Sequence, residues 1–197
     1  MRSSRVPVGT AALLSAALLS AALLSAALLS TALLPPAPAF AAGPSGPVAA
    51  RCAFSYSPAI SPGVGLLTDS GTVSSGGETG TVDCSGDLDG REITGTGTWG
   101  FEGRLSEANC VEGGKGSGRI LMTVPTAAGL THFEEFITFA FGPVGAYPPL
   151  VGDWVGDRTS GVFVVAPAEG DCVTAKVTRV DASGQMSLHR PYPQPAL

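Results

Sequence analysis

Four cysteines, two histidines and sixteen carboxylates are the residues with which this chain of 197 could do chemistry. Nucleophilic catalysis needs a base beside a Ser or Cys. His132 opens a Phe-rich segment on its polar face, and His189 sits beside Arg190-Pro191 near the tail. The sequence contains neither a G-x-S-x-G elbow nor an H-E-x-x-H pair. Glu134 and Glu135 are adjacent, so in a strand they point to opposite faces and cannot work as one acid/base pair. Asp153 and Asp157 flank Trp154, with Arg158 next, and a turn with a surface ion pair accounts for them. Asp87, Asp89 and Gly90 match the opening of a calcium loop, but position twelve counted from Asp87 is Thr98 instead of Glu. Asp-Gly is instead a hairpin-turn signal. No catalytic residue, metal or cofactor is assigned.

The cysteines carry the clearest chemistry. Cys52, Cys84, Cys110 and Cys172 include no C-x-x-C pair, which leaves zinc poorly supported. An even count in an exported chain reads as disulfides. The segments "RCAFSYS" and "GTVDCSG" both read as strands, and pairing them joins Cys52 to Cys84, leaving Cys110 for Cys172.

Export is read from the N-terminus. Residues 11–30 are the pentapeptide AALLS written four times. Arg2 and Arg5 precede the apolar stretch, Pro35, Pro36 and Pro38 follow it, and Ala39-Phe40-Ala41-Ala42 gives a small-residue cleavage pattern. Residues 1–41 are therefore expected to be a signal peptide cut after Ala41 or Ala42. The alternative is an uncleaved helix anchoring the domain to the outer face of the membrane. Residues 42–50 are expected as a linker, 51–189 as one β domain and 190–197 as a flexible tail.

Without Arg2 and Arg5 the chain has nine basic and sixteen acidic residues, and they are scattered. Nucleic-acid binding needs Lys and Arg against phosphates, and none is expected; nor is membrane contact after cleavage. A monomer meeting an unknown extracellular ligand or envelope component is the expected state.

Those side chains must be positioned by strands. Glycine recurs every few residues among Thr and Val, with apolar clusters throughout. "RCAFSYS" puts Cys52, Phe54 and Tyr56 on one face. "REITGTGTWGFEG" puts Ile93, Trp99 and Phe101 on one face and Thr94, Thr96 and Thr98 on the other. "EANCVEGGKGSG" reads as a mobile loop, the segment around Phe133, Ile137, Phe139 and Phe141 as a strand with these four inward, and residues 171–189 as two closing strands. About nine or ten short strands suggest an antiparallel β-sandwich or closed barrel stapled by two disulfides.

The expected function is a secreted, non-catalytic β-sandwich serving as an extracellular or envelope-associated binding or structural module. One alternative is a small apolar-ligand carrier, in which Phe54, Tyr56, Trp99, Phe101, Phe139 and the other inward aromatics line a barrel. A second is a carboxylate-dependent hydrolase using Glu135, Asp153 or Asp157. A fully packed interior would eliminate the carrier.

Overall fold

The computed structural model describes residues 44, 46–67, 69–143 and 149–191. The expected signal peptide, its cleavage point and most of the tail lie outside the described residues.

Eleven strands and no helix are found among the described residues: β1 (Val48–Tyr56), β2 (Ala59–Val64), β3 (Asp69–Ser74), β4 (Gly80–Leu88), β5 (Arg91–Glu92), β6 (Gly97–Asn109), β7 (Gly113–Thr126), β8 (Gly129–Pro143), β9 (Leu150–Gly156), β10 (Thr159–Glu169) and β11 (Val177–His189). All pair antiparallel. Hydrogen-bonded neighbours run β1–β4–β6–β7–β8–β9–β10–β11 and return to β1, so the sheet closes on itself. Of the two expected architectures, the closed barrel is the one formed.

Closure is made twice. Near one end, β1 and β4 fill the gap between β11 and β6. Near the other, β2 and β3 fill it, with Val177 opposite Val64 and Thr72 opposite Arg104. β1 and β2 thus act as one bent strand, and so do β3 and β4. The second bend is pinned where Ser75 N–H donates to Phe101 O (3.1 Å) and Phe101 N–H donates to Ser75 Oγ (3.1 Å). Gly76 and Gly77, both at positive φ, turn the chain there.

Alternation drives each strand. On β1, Ala50, Cys52 and Phe54 are buried while Arg51, Ala53 and Ser55 are exposed. β1 begins at Val48, opposite His189, so the last residues of the expected linker are strand. The disulfides Cys52–Cys84 and Cys110–Cys172 are formed. Cys52 and Cys84 are directly opposed across β1 and β4, with Cα atoms 4.0 Å apart.

Several segments differ from the sequence reading. "REITGTGTWGFEG" is not one strand. Asp89 and Gly90 both have positive φ and close a two-residue hairpin between Leu88 and Arg91. Ile93 N–H then donates to Gly86 O (3.0 Å) and Thr94 N–H to Pro125 O (2.9 Å), handing the chain from β4 to the end of β7 before β6 begins. "EANCVEGGKGSG" is mostly strand, because the glycines of β7 lie under aromatic rings of the neighbouring strands. A Cβ at Gly116 would clash with Phe139 Cζ. Residues 171–189 hold one strand and a turn: Asp171 Oδ1 accepts the N–H groups of Val173 (2.9 Å), Thr174 (2.7 Å) and Ala175 (3.1 Å). His189 ends β11 half-buried, its Nδ1 2.8 Å from Gly46 O and its Nε2 3.3 Å from Ser160 Oγ. The carbonyl can only accept, so Nδ1 carries the proton.

Candidate functional site: a cavity in the barrel

The interior is not fully packed. A cavity of about 110 Å³, partly open, runs from the middle of the barrel toward the end bearing the Cys110–Cys172 bridge. Its wall is almost wholly apolar. Eight of the nine aromatics with described inward positions on β1, β6, β8, β9 and β10 line it; the ninth, Phe133, lies below, under the guanidinium of Arg158 (5.6 Å).

The alternation of strands aims these rings inward, and glycine lets them lie down. Phe163 covers Gly152 and Trp154 covers Gly161, where an added Cβ would collide with each ring. Phe54 covers Gly184, whose Cβ would fall 2.7 Å from Phe54 Cζ. A ring laid flat against the wall leaves the middle of the barrel unfilled, which a ring standing toward the axis would not. The glycine content of the chain therefore has a packing cause.

At the base of the cavity the rings contact one another. Phe54 stacks on Trp99 with centroids 4.5 Å apart, and Trp99 and Trp154 lie 6.2 Å apart. Phe139 meets Phe101 edge-on at 5.5 Å. Trp99 is 2% exposed and Trp154 5% exposed, yet the indole Nε1–H of each is buried with no acceptor. Burial also pushes the phenol of Tyr56, which lines the same cavity, above its ordinary range.

The rim of this end is held by short-range polar bonds. Buried Asn109 accepts Val111 N–H (2.9 Å) and Glu112 N–H (2.7 Å) on its Oδ1, fixing the β6–β7 turn. Cys110 N–H donates to Gly65 O (2.9 Å), tying that turn to the β2–β3 loop. Leu66, Leu67, Val111 and Val173, all on rim loops, are exposed apolar side chains.

The carboxylates of the hydrolase alternative are not gathered here. Glu135 points inward at the opposite end, where one carboxylate oxygen accepts Arg158 N–H and the other is buried without a partner. Arg158 pairs with Asp89 (2.6 Å) instead of with its neighbour Asp157. Asp153 alternates with inward Trp154 and therefore faces the outside of the barrel, where desolvation raises its pKa. Glu135 and Asp153 thus lie on opposite faces of the wall. His132 is exposed and bonded to Thr123 Oγ1 (2.7 Å). Among the described residues no cluster of three His, Cys, Asp or Glu could hold a metal ion.

The sequence identified the aromatic residues as inward but not the hollow between them. The signal was the recurrence of glycine on the strands that face the rings, legible only once the register is known. No family model, curated protein or solved structure matches this chain.

Proposed function

We propose that this domain is an exported binder of a small apolar molecule, held inside the barrel among the aromatic side chains. The observation that carries the reading is the cavity itself: about 110 Å³, apolar, lined by eight aromatic residues and partly open. Ligand sites are concave and mostly apolar with few polar groups. An apolar cavity of roughly 150 Å³ holds a benzene-sized molecule, so the space suits one small ring or a short branched chain. This favours the carrier over the purely structural module. The two disulfides are consistent with an extracellular location, and the N-terminal pattern of Arg2, the AALLS repeats and Ala39-Phe40-Ala41 supports export by a cleaved signal peptide.

Native mass spectrometry of the protein recovered from culture medium tests this reading. The expected result is a chain beginning at Ala42 or Gly43, two disulfides intact, with one small molecule retained or taken up per chain. A chain found only in membranes at full length contradicts the export, and a secreted chain that neither retains nor takes up any apolar molecule contradicts the binding.

A further inference from the structure

We infer that the rim of the hollow end is a lipid-docking surface: Leu66, Leu67, Val111 and Val173 enter the uncharged surface layer of a bilayer, and the apolar ligand passes between that layer and the cavity without crossing water. The inference rests on the binding reading above and names the partner from which the site is filled.

The four side chains are between 52% and 81% exposed. They sit on three different turns, and those turns are tied to one another. Cys110 N–H donates to Gly65 O (2.9 Å), and the Cys110–Cys172 bridge joins the β6–β7 turn to the β10–β11 turn. Each exposed side chain also follows closely on a residue of the cavity wall. Leu66 and Leu67 come two and three positions after Val64, Val111 directly after Cys110, and Val173 directly after Cys172. Exposed apolar side chains are therefore gathered at the end toward which the partly open cavity runs. Gathered apolar exposure of this kind marks a contact site.

The turns are also built to leave water. A segment entering lipid must bring its own partners for its backbone N–H groups. Asn109 Oδ1 takes those of Val111 and Glu112, and Asp171 Oδ1 takes those of Val173, Thr174 and Ala175. Cys172 N–H donates to Ala175 O (2.9 Å). The carboxylates beside the apolar residues are engaged as well. Glu112 Oε2 accepts Asn109 Nδ2 (3.1 Å), and Asp171 Oδ2 accepts the Thr174 hydroxyl (2.7 Å). The scattered, net acidic charge that argued against membrane contact bears only on attraction to anionic lipid. Apolar insertion needs no such attraction, and its strength follows the apolar area buried. A second copy of this chain fits the rim less well. A stable protein interface takes roughly 800 Å² from each partner, and the rim offers single aliphatic side chains on three turns.

Sedimentation of the disulfide-intact protein with phosphatidylcholine vesicles tests the docking, and calorimetry with methylenecyclohexane, a small apolar ring compound, tests the cavity. Leu67→Asp and Val173→Asp alter exposed side chains outside the cavity wall. The wild type is expected to sediment with the vesicles, and each variant to lower its partition coefficient about tenfold or more. All three proteins are expected to bind methylenecyclohexane alike in solution, and phosphatidylglycerol added to the vesicles should not strengthen wild-type docking. If methylenecyclohexane binds but the vesicles do not, or if both variants dock as the wild type does, the docking inference is overturned while apolar binding stands. Docking that requires phosphatidylglycerol and disappears at high salt overturns it too, because the attraction would then be charge. So does a wild-type dimer that either variant dissociates, in a protein that leaves vesicles unbound. If none of the proteins binds methylenecyclohexane, the binding reading fails and the transfer from lipid fails with it.

Discussion

Leu88, Met122, Val124 and Leu188, toward the end of the barrel that carries the Asp89-Gly90 hairpin turn, are each at most 1% exposed. Phe139, Phe141 and Phe163, toward the other end, are larger side chains on equally regular strands, yet they stay half-buried and border a cavity. Composition alone would forecast the reverse, since aromatic rings fill more space than leucines. The difference lies in the residues opposite. At the closed end, branched side chains from β4, β7 and β11 interdigitate. At the hollow end, rings lie on Gly116 and Gly152, and the space a side chain would occupy there is taken by a ring edge instead. The lesson is that glycine under an aromatic moves bulk from the axis of a barrel to its wall.

Both ends are also stapled, but to different effect. The Cys52–Cys84 bridge joins strands already paired residue for residue. The Cys110–Cys172 bridge joins the β6–β7 turn to the β10–β11 turn, which share no strand pairing, and spans 62 residues of sequence. It holds the rim of the hollow end where side-chain packing does less.

The largest effect that separates the ends is expected for Leu188→Ala. This removes a buried side chain from a filled region and should cost about 2–5 kcal/mol, read as a lower urea midpoint at unchanged slope. A loss under about 1 kcal/mol would show that the closed end is not close-packed. Next comes Phe163→Ala. Part of this ring already faces the cavity, so the expected loss of stability is below about 2 kcal/mol, with a clear loss of affinity for methylenecyclohexane by calorimetry. A stability loss equal to that of Leu188→Ala would erase the distinction between the ends. The smallest effect concerns the rim. Asp171 is exposed, and its bonds from Thr174 first and then the neighbouring backbone N–H groups hold its carboxyl well below the usual carboxylate range. A depressed pKa in the folded state means the contribution is fully present above the unfolded value near 3.8 and is lost only as pH falls through the lower folded value. The side-chain carboxyl carbon of Asp171 should therefore titrate well below 3.8 by NMR; titration at 3.8 would show that the 171–175 turn is not held this way in solution.

The all-β class and the two disulfide pairings were legible because they rest on local alternation and on an even cysteine count. So were the inward faces of Cys52, Phe54, Trp99, Phe101 and Phe139, and the outward face of Thr96. The Asp89-Gly90 turn was legible for a similar reason, since Asp-Gly favours positive φ at both positions. What could not be read were features set by register between distant strands. Gly116 looked like part of a loop because the sequence does not show that Phe139 lies opposite it. The break at 93–96 depends on the Thr94 bond to Pro125, 31 positions away by their numbers. The unpartnered indoles of Trp99 and Trp154 follow from three-dimensional neighbours alone. Glu135 shares the parity of Phe133 and Ile137 along the strand, which makes its inward position legible, but its backbone partner at Arg158 was out of reach of any spacing argument.

The central claim is that the hollow end is a ligand site and not a packing defect. Val165 lines the cavity on β10 and is half-buried, so Val165→Phe should fill the space without unfolding the barrel. Isothermal calorimetry of methylenecyclohexane against wild type and this variant decides the matter. Saturable binding of one molecule per chain in the wild type, abolished in a Val165→Phe protein that keeps the wild-type near-ultraviolet circular dichroism, is the result predicted. No saturable heat in the wild type, or equal binding in both proteins, would contradict it.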